Sequence, residues 1–115
     1  MNFIEHYLDE NEVWLDSVRK GVEKFNVPTN DVNGKMYLTL HHGTSEGNLK
    51  KILKSGKFKV NTYFAPDRET ALRYAGMTGS KPITTIAVIS ADGLMFDGNY
   101  FYANKDLYFS NGVYK

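Results

Sequence analysis

Residues 35–45, KMYLTLHHGTS, decide how the chain is read. Met36, Leu38, Leu40 and His42 alternate with Tyr37, Thr39 and His41, which is the period-two pattern of a strand with one buried face. The pattern predicts a strand that stops at Gly43. Ser45 is then placed to cap a helix whose apolar side is Leu49, Ile52 and Leu53 and whose end is Gly56. At such a junction a glycine lets a ligand approach the backbone and free helix-start amides bind polar or anionic groups, while His42 supplies a directional hydrogen bond. The same residues also suit a plain strand-turn-helix corner with a partly buried histidine.

Working outward toward the C-terminus, a second strand is expected from Phe58 to Ala65. After it, Pro66 and Asp67 start a helix carrying Ala71, Leu72, Tyr74 and Ala75. Residues 83–90, ITTIAVIS, are β-branched and apolar, the composition of a central strand. Shorter strands are expected around Leu94 to Phe96, Tyr100 to Ala103 and Leu107 to Ser110. Toward the N-terminus, Ile4, Leu8, Leu15, Val18, Val22 and Phe25 recur at helical steps, and Asn11 interrupts the stripe where it can cap a second helical part. Residues 26–34, NVPTNDVNG, are rich in turn formers and read as a linker. The expected class is α+β, with a mostly antiparallel sheet and short helices after an N-terminal helix. Residues 1–34 form the helical segment and linker, and residues 35–115 the main unit of one compact domain.

The composition removes several functions. The chain has 115 residues, one domain by length, with 42% hydrophobic and 23% charged residues, as in ordinary globular proteins. With no cysteine, disulfides, thiolate nucleophiles, thiolate zinc sites and iron–sulfur clusters are excluded. No run approaches the roughly 18–20 apolar residues of a membrane span. The first 18 residues carry five acids and no Lys or Arg, where a signal peptide is basic, so a cytoplasmic location without membrane attachment is expected. A formal charge of +1 and only three arginines disfavour a nucleic-acid partner. His6, His41 and His42 are the only histidines, and neighbouring His41 and His42 point to opposite faces of a strand, so no metal is expected. Neither a nucleophile-elbow sequence nor a phosphate-binding glycine loop is present.

Two further groups are candidates. Tyr63 ends the second strand and Tyr74 sits on the following helix, so their rings can face one another across the corner and present flat surfaces to a planar ligand; packing in an aromatic core is the other reading. Lys50, Lys51, Lys54, Lys57 and Lys59 form a basic cluster that either steers a phosphate-bearing ligand or is a solvated face.

Taken in order, His42-Gly43-Thr44, then Tyr63-Phe64-Ala65, then Tyr74 eleven positions after Tyr63, resemble the signature of the diphtheria-toxin-like and poly(ADP-ribose)-polymerase-like ADP-ribosyltransferases. The likeness covers about residues 36 to 110 and includes the connecting text Ile52 to Gly56 and Glu69 to Ala75. It implies a split, mostly antiparallel sheet with a cleft for NAD as co-substrate. By resemblance, His42 bonds a ribose hydroxyl of the adenosine, the Gly43 backbone pairs with the nicotinamide carboxamide and Thr44 supports that region. Tyr63 and Tyr74 sandwich the nicotinamide, whose ring is cationic until the glycosidic bond breaks. The family's third position is a glutamate on a late strand that stabilises the oxocarbenium-like ribose. Here Asp106 is the candidate, one methylene shorter, and a register one residue earlier places Lys105 there. Ala71, with Thr70 beside it, stands where the polymerases have a serine against the carboxamide.

The resemblance implies a mono-ADP-ribosyltransferase, similar in its brevity to compact members carried by phages or mobile elements. Polymer elongation is not expected, because no long acceptor loop is visible. The acceptor would be a protein or another molecule. An inactive module of the same fold, holding a nucleotide or blocking a partner protein, is the alternative. An RNA 2'-phosphotransferase ranks third, since Tyr63 stands where that family carries histidine and arginines are few.

Overall fold

Thr29–Val32 (β1) and Lys35–Ser45 (β2) form an antiparallel hairpin closed by Asn33 and Gly34. The computed structural model describes residues 15–76 and 81–115. Both loop residues take positive φ, 54° at Asn33 and 81° at Gly34, as a type I′ turn requires. The Gly34 N–H donates to Asp31 Oδ1 at 3.0 Å. The stretch read as a linker therefore contains an edge strand. Asn-Gly is itself a strong hairpin signal, and pairing with β2 gives the polar residues before it a partner that local composition does not reveal.

β2 does not stop at Gly43. It pairs antiparallel with Pro82–Ser90 (β5) without a break from Tyr37↔Ser90 to Ser45↔Pro82, so Gly43 is a strand residue opposite Thr84. The ladder with β5 supplies backbone partners that keep Gly43 to Ser45 extended. β5 is central, as its composition predicts, with β2 on one side and Val113–Tyr114 (β9) parallel to it on the other.

The strand expected from Phe58 to Ala65 is two strands in two sheets. Lys57–Phe58 (β3) pairs with Leu107–Ser110 (β8), whereas Tyr63–Phe64 (β4) pairs with Phe101–Ala103 (β7), which also pairs with Leu94–Phe96 (β6). Between β3 and β4 the chain turns at Asn61 with φ 70°, and the Thr62 hydroxyl donates to the Lys59 carbonyl at 2.6 Å. Asparagine tolerates this left-handed conformation better than most residues do. Among the described residues, the result is a six-stranded sheet, β1-β2-β5-β9-β8-β3, and a three-stranded sheet, β4-β7-β6. Apart from β5–β9, the pairings are antiparallel.

Among the described residues, three α-helices complete the α+β fold. Asp16–Phe25 (α1) buries Val18 completely and lays Gly21 against the rings of Phe96 and Phe101. Leu15, expected on the buried stripe, is 46% exposed just before the helix. Ile4, Leu8 and Asn11 lie outside the described residues. Glu46–Ser55 (α2) is capped by Ser45, whose Oγ accepts from the Asn48 N–H at 3.2 Å, and ends at Gly56 with φ 72°. Arg68–Gly76 (α3) is opened by Asp67, whose Oδ1 accepts from the Thr70 N–H at 2.7 Å. The core joins Leu38, Leu40 and Ile89 to Phe58, Phe64 and Phe101. Each such fully buried side chain contributes about 1.5–3 kcal/mol. Phe58 and Phe64 meet edge to face at 5.0 Å, which ties the two sheets together.

Candidate functional site

The free edge of β2 organises the site. His41 donates its N–H to the Ala65 carbonyl at 2.9 Å and accepts from the Ala65 N–H at 2.7 Å. Successive residues of a strand direct their backbone polar groups to opposite edges. Gly43 therefore turns its N–H and C=O to the same edge as His41, beyond the last backbone pairing there among the described residues. One donor and one acceptor are presented side by side, the pattern a carboxamide matches.

Gly43 also has a packing reason to be glycine. A Cβ at this position would lie 2.6 Å from the carbonyl carbon of Ala71 and 3.2 Å from Ala75 Cβ, so α3 can press against β2 only where no side chain intervenes. This approach brings Ala71 and Tyr74 to the strand end.

The edge opens into a cavity of about 850 Å³. Its lining includes His42, Gly43, Thr44, Tyr63, Ala71 and Tyr74, which come from β2, β4 and α3. Thr44 is buried, with 6% exposure. The His42 ring packs edge to face on Phe58 at 5.3 Å and lies 5.7 Å from the Phe64 ring. Its Nδ1 is 2.8 Å from the Tyr63 carbonyl oxygen. A carbonyl only accepts, so Nδ1 carries the proton and neutral His42 keeps Nε2 as an acceptor. Burial pushes the imidazole pKa below 6.5, and the hydrogen bond to Tyr63 partly offsets this.

Tyr63 is 57% exposed although it belongs to a strand, because Phe64 takes the core face and Tyr63 the other. Across the β4–β7 pair it meets Tyr102, edge to face at 5.8 Å. Tyr74 and Tyr63 both line the cavity, and each is in ring contact with Tyr100, at 4.8 Å and 5.7 Å. A hydrogen bond to Tyr100 pushes the Tyr74 phenol up to about 12. Sequence reasoning missed Tyr100. The signal was the alternation Tyr100, Phe101, Tyr102, Ala103, in which Phe101 and Ala103 are buried and the tyrosines face away from the core.

A second wall is basic. Lys51 from α2, Lys57 from β3 and Lys59 from the following turn line the cavity together with Asn48. Lys50 and Lys54 of the same cluster do not, and Lys50 pairs with Glu46 at 3.4 Å. Among the described residues, no aspartate or glutamate is in the lining.

Asp106 stands apart from the other predicted residues. It precedes β8, accepts from the Val60 N–H at 2.9 Å and pairs with Lys57 Nζ at 3.3 Å. These contacts, the backbone one first, hold its carboxyl below the usual aspartate range. Through Lys57 it reaches the cavity wall without lining it. Lys105, the other register, lies with its side chain near Gly93 and does not line the cavity either.

No protein-family model, no curated protein and no solved structure matches the chain. Among the described residues, no helix is long and apolar enough to cross a membrane.

Proposed function

We propose that the cavity is a dinucleotide cleft of the ADP-ribosyltransferase type, the class that residues His42, Gly43, Thr44, Tyr63 and Tyr74 resemble. Within that class, the chain acts as a mono-ADP-ribosyltransferase that transfers ADP-ribose from NAD to a protein or other acceptor and releases nicotinamide. The observation that carries this reading is the free β2 edge at Gly43, which offers an N–H and a C=O beside Tyr63 and Tyr74 in one cavity. A nicotinamide needs both, a donor–acceptor pair for its carboxamide and ring faces for its pyridinium. His42 Nε2 accepts from a ribose hydroxyl, and Lys51, Lys57 and Lys59 face the pyrophosphate. In the reaction the bond between ribose C1′ and the nicotinamide nitrogen breaks with its electron pair leaving on nicotinamide. An acceptor nucleophile bonds to C1′ and gives up its proton to solvent; the carboxylate assigned to stabilise the oxocarbenium character is Asp106, which adjoins the cavity through Lys57 and must leave that pairing to act.

One observation favours a second reading, an inactive module that binds a nucleotide or blocks a partner protein: among the described residues no carboxylate lines the cavity, and Asp106 is engaged by Lys57 and Val60. Calorimetry with NAD, together with an assay of nicotinamide release in a host lysate, separates the two. Binding with release supports the transferase, and Asp106→Ala then lowers turnover far more than affinity. Binding without release supports the module. Absence of any NAD or ADP-ribose binding rejects the dinucleotide cleft.

A further inference from the structure

We propose that Lys57 is a positioning residue shared between Asp106 and the cavity: an anion bound inside competes with Asp106 for this one ammonium and so frees the carboxylate. The inference rests on the dinucleotide reading only for what the freed carboxylate then does. Three observations carry it. Of the lysines that line the cavity, Lys57 alone has an ion pair among the described residues, to Asp106 at 3.3 Å, whereas Lys51 and Lys59 have none. Asp106 lies outside the lining, so a single cation links the acid to the cavity wall. The two carboxylate oxygens also have different partners. Oδ1 accepts from the Val60 N–H at 2.9 Å, a donor fixed by the turn at residues 59–62, where the Thr62 N–H donates to the Lys59 carbonyl at 3.1 Å. Oδ2 is held by Lys57, so a departing ammonium leaves Asp106 anchored at Oδ1 and bares Oδ2. Finally, Lys57 moves only at its side chain. Its backbone pairs with Tyr108 across β3 and β8, and its N–H donates to Ser55 Oγ at 3.3 Å.

The pair is open enough to be broken. The Lys57 side chain is 31% exposed and that of Asp106 36%, and an ion pair in contact with water is weak beside the pull of a multiply charged phosphate flanked by Lys51 and Lys59. The flexible four-carbon stem of lysine lets the ammonium turn without backbone movement, and its Nζ lies 5.7 Å from the centroid of the Tyr108 ring. Competition for one cation is reciprocal. Whatever Asp106 takes from the affinity of an anion at Lys57, the anion takes from the hold on Asp106. In the dinucleotide reading the pyrophosphate is that anion, and the acid is paired in the empty cleft and released when the co-substrate is loaded.

The test is a double-mutant cycle read by calorimetry, with inorganic pyrophosphate titrated at low salt into the whole chain, Asp106→Asn, Lys57→Met and the double variant. Asparagine keeps an oxygen for the Val60 N–H and methionine keeps the apolar stem; Lys57→Ala takes the place of Lys57→Met if circular dichroism shows that the latter misfolds. Asp106→Asn should bind pyrophosphate about two- to fivefold more tightly than the wild type, because Lys57 no longer has a competing partner. In the Lys57→Met background the same change should bring no gain. An equal gain in both backgrounds marks a general field in place of a shared cation and overturns the proposal, as does no gain in the wild type or no pyrophosphate binding. Where NAD is turned over, Lys57→Met should raise KM without lowering kcat, since Asp106 is then free from the start; a fall in kcat overturns release as the role of Lys57. Coupling without NAD binding leaves the shared lysine standing and rejects the dinucleotide reading; NAD turnover without coupling does the reverse.

Discussion

Gly43→Ala tests the contact on which the site is built. The added methyl would sit 2.6 Å from the carbonyl carbon of Ala71 and 3.2 Å from Ala75 Cβ, against backbone that cannot rotate away as a side chain would. Either α3 lifts off β2 or β2 bends out of its ladder with β5. Overpacking in a core costs typically 1–3 kcal/mol, and a backbone obstacle places this change near the top, at about 3 kcal/mol. With a urea m-value of about 1.5 kcal/mol/M, the unfolding midpoint should fall by about 2 M. The paired control is Gly47→Ala, on α2 with no atom within 4 Å of the new methyl, which should raise stability by a few tenths of a kcal/mol, up to about 1. Urea unfolding followed by circular dichroism reads both. Because α3 carries Tyr74, Gly43→Ala should also weaken NAD binding. A midpoint for Gly43→Ala within error of the wild type would refute the packing argument.

Three more outcomes follow from the same geometry. His42 has a folded-state pKa below its unfolded value of about 6.5, so the unfolded chain takes up the proton first. Stability present above pH 6.5 is lost as pH falls through that value toward the folded pKa; the drop in urea midpoint between pH 7.5 and 5.5 should shrink in His42→Gln. Gly34→Ala places a side chain at φ 81° in the β1–β2 turn and should cost about 1 kcal/mol, read as a fall in Tm of about 4–8 °C. Lys51→Ala and Lys59→Ala remove cations from the cavity wall; each should weaken NAD binding about two- to fivefold at low salt, and calorimetry at high salt should show the difference shrinking.

Local periodicity carried the elements that depend on neighbours in sequence. The alternation from Met36 to His42, the Ser45 cap with Gly56 as stop, the helix opened by Asp67 and the β-branched run ending at Ser90 all correspond to elements of the structure. The misreadings share one cause. Gly43 reads as a stop, but β5 supplies a partner that keeps it extended. Phe58 to Ala65 reads as one strand, but its ends are claimed by β8 and β7 in different sheets, and Asn61 absorbs the break. Residues 29–32 read as linker because their apolar content is low, yet an edge strand needs only backbone partners.

Local patterning in the sequence reveals the α+β class, and a resemblance carried by short motifs singled out His42, Gly43, Thr44, Tyr63, Ala71 and Tyr74 as candidates. The tertiary structure decided what joins them. It set α3 against Gly43, left the β2 edge open beyond Ala65 among the described residues and brought Tyr100 into ring contact with both Tyr63 and Tyr74. It also put Asp106 with Lys57 and Val60 outside the cavity lining, while Lys51, Lys57 and Lys59 joined it. Side chains far apart in sequence meet only through sheet pairing and packing, whose partners no local window contains.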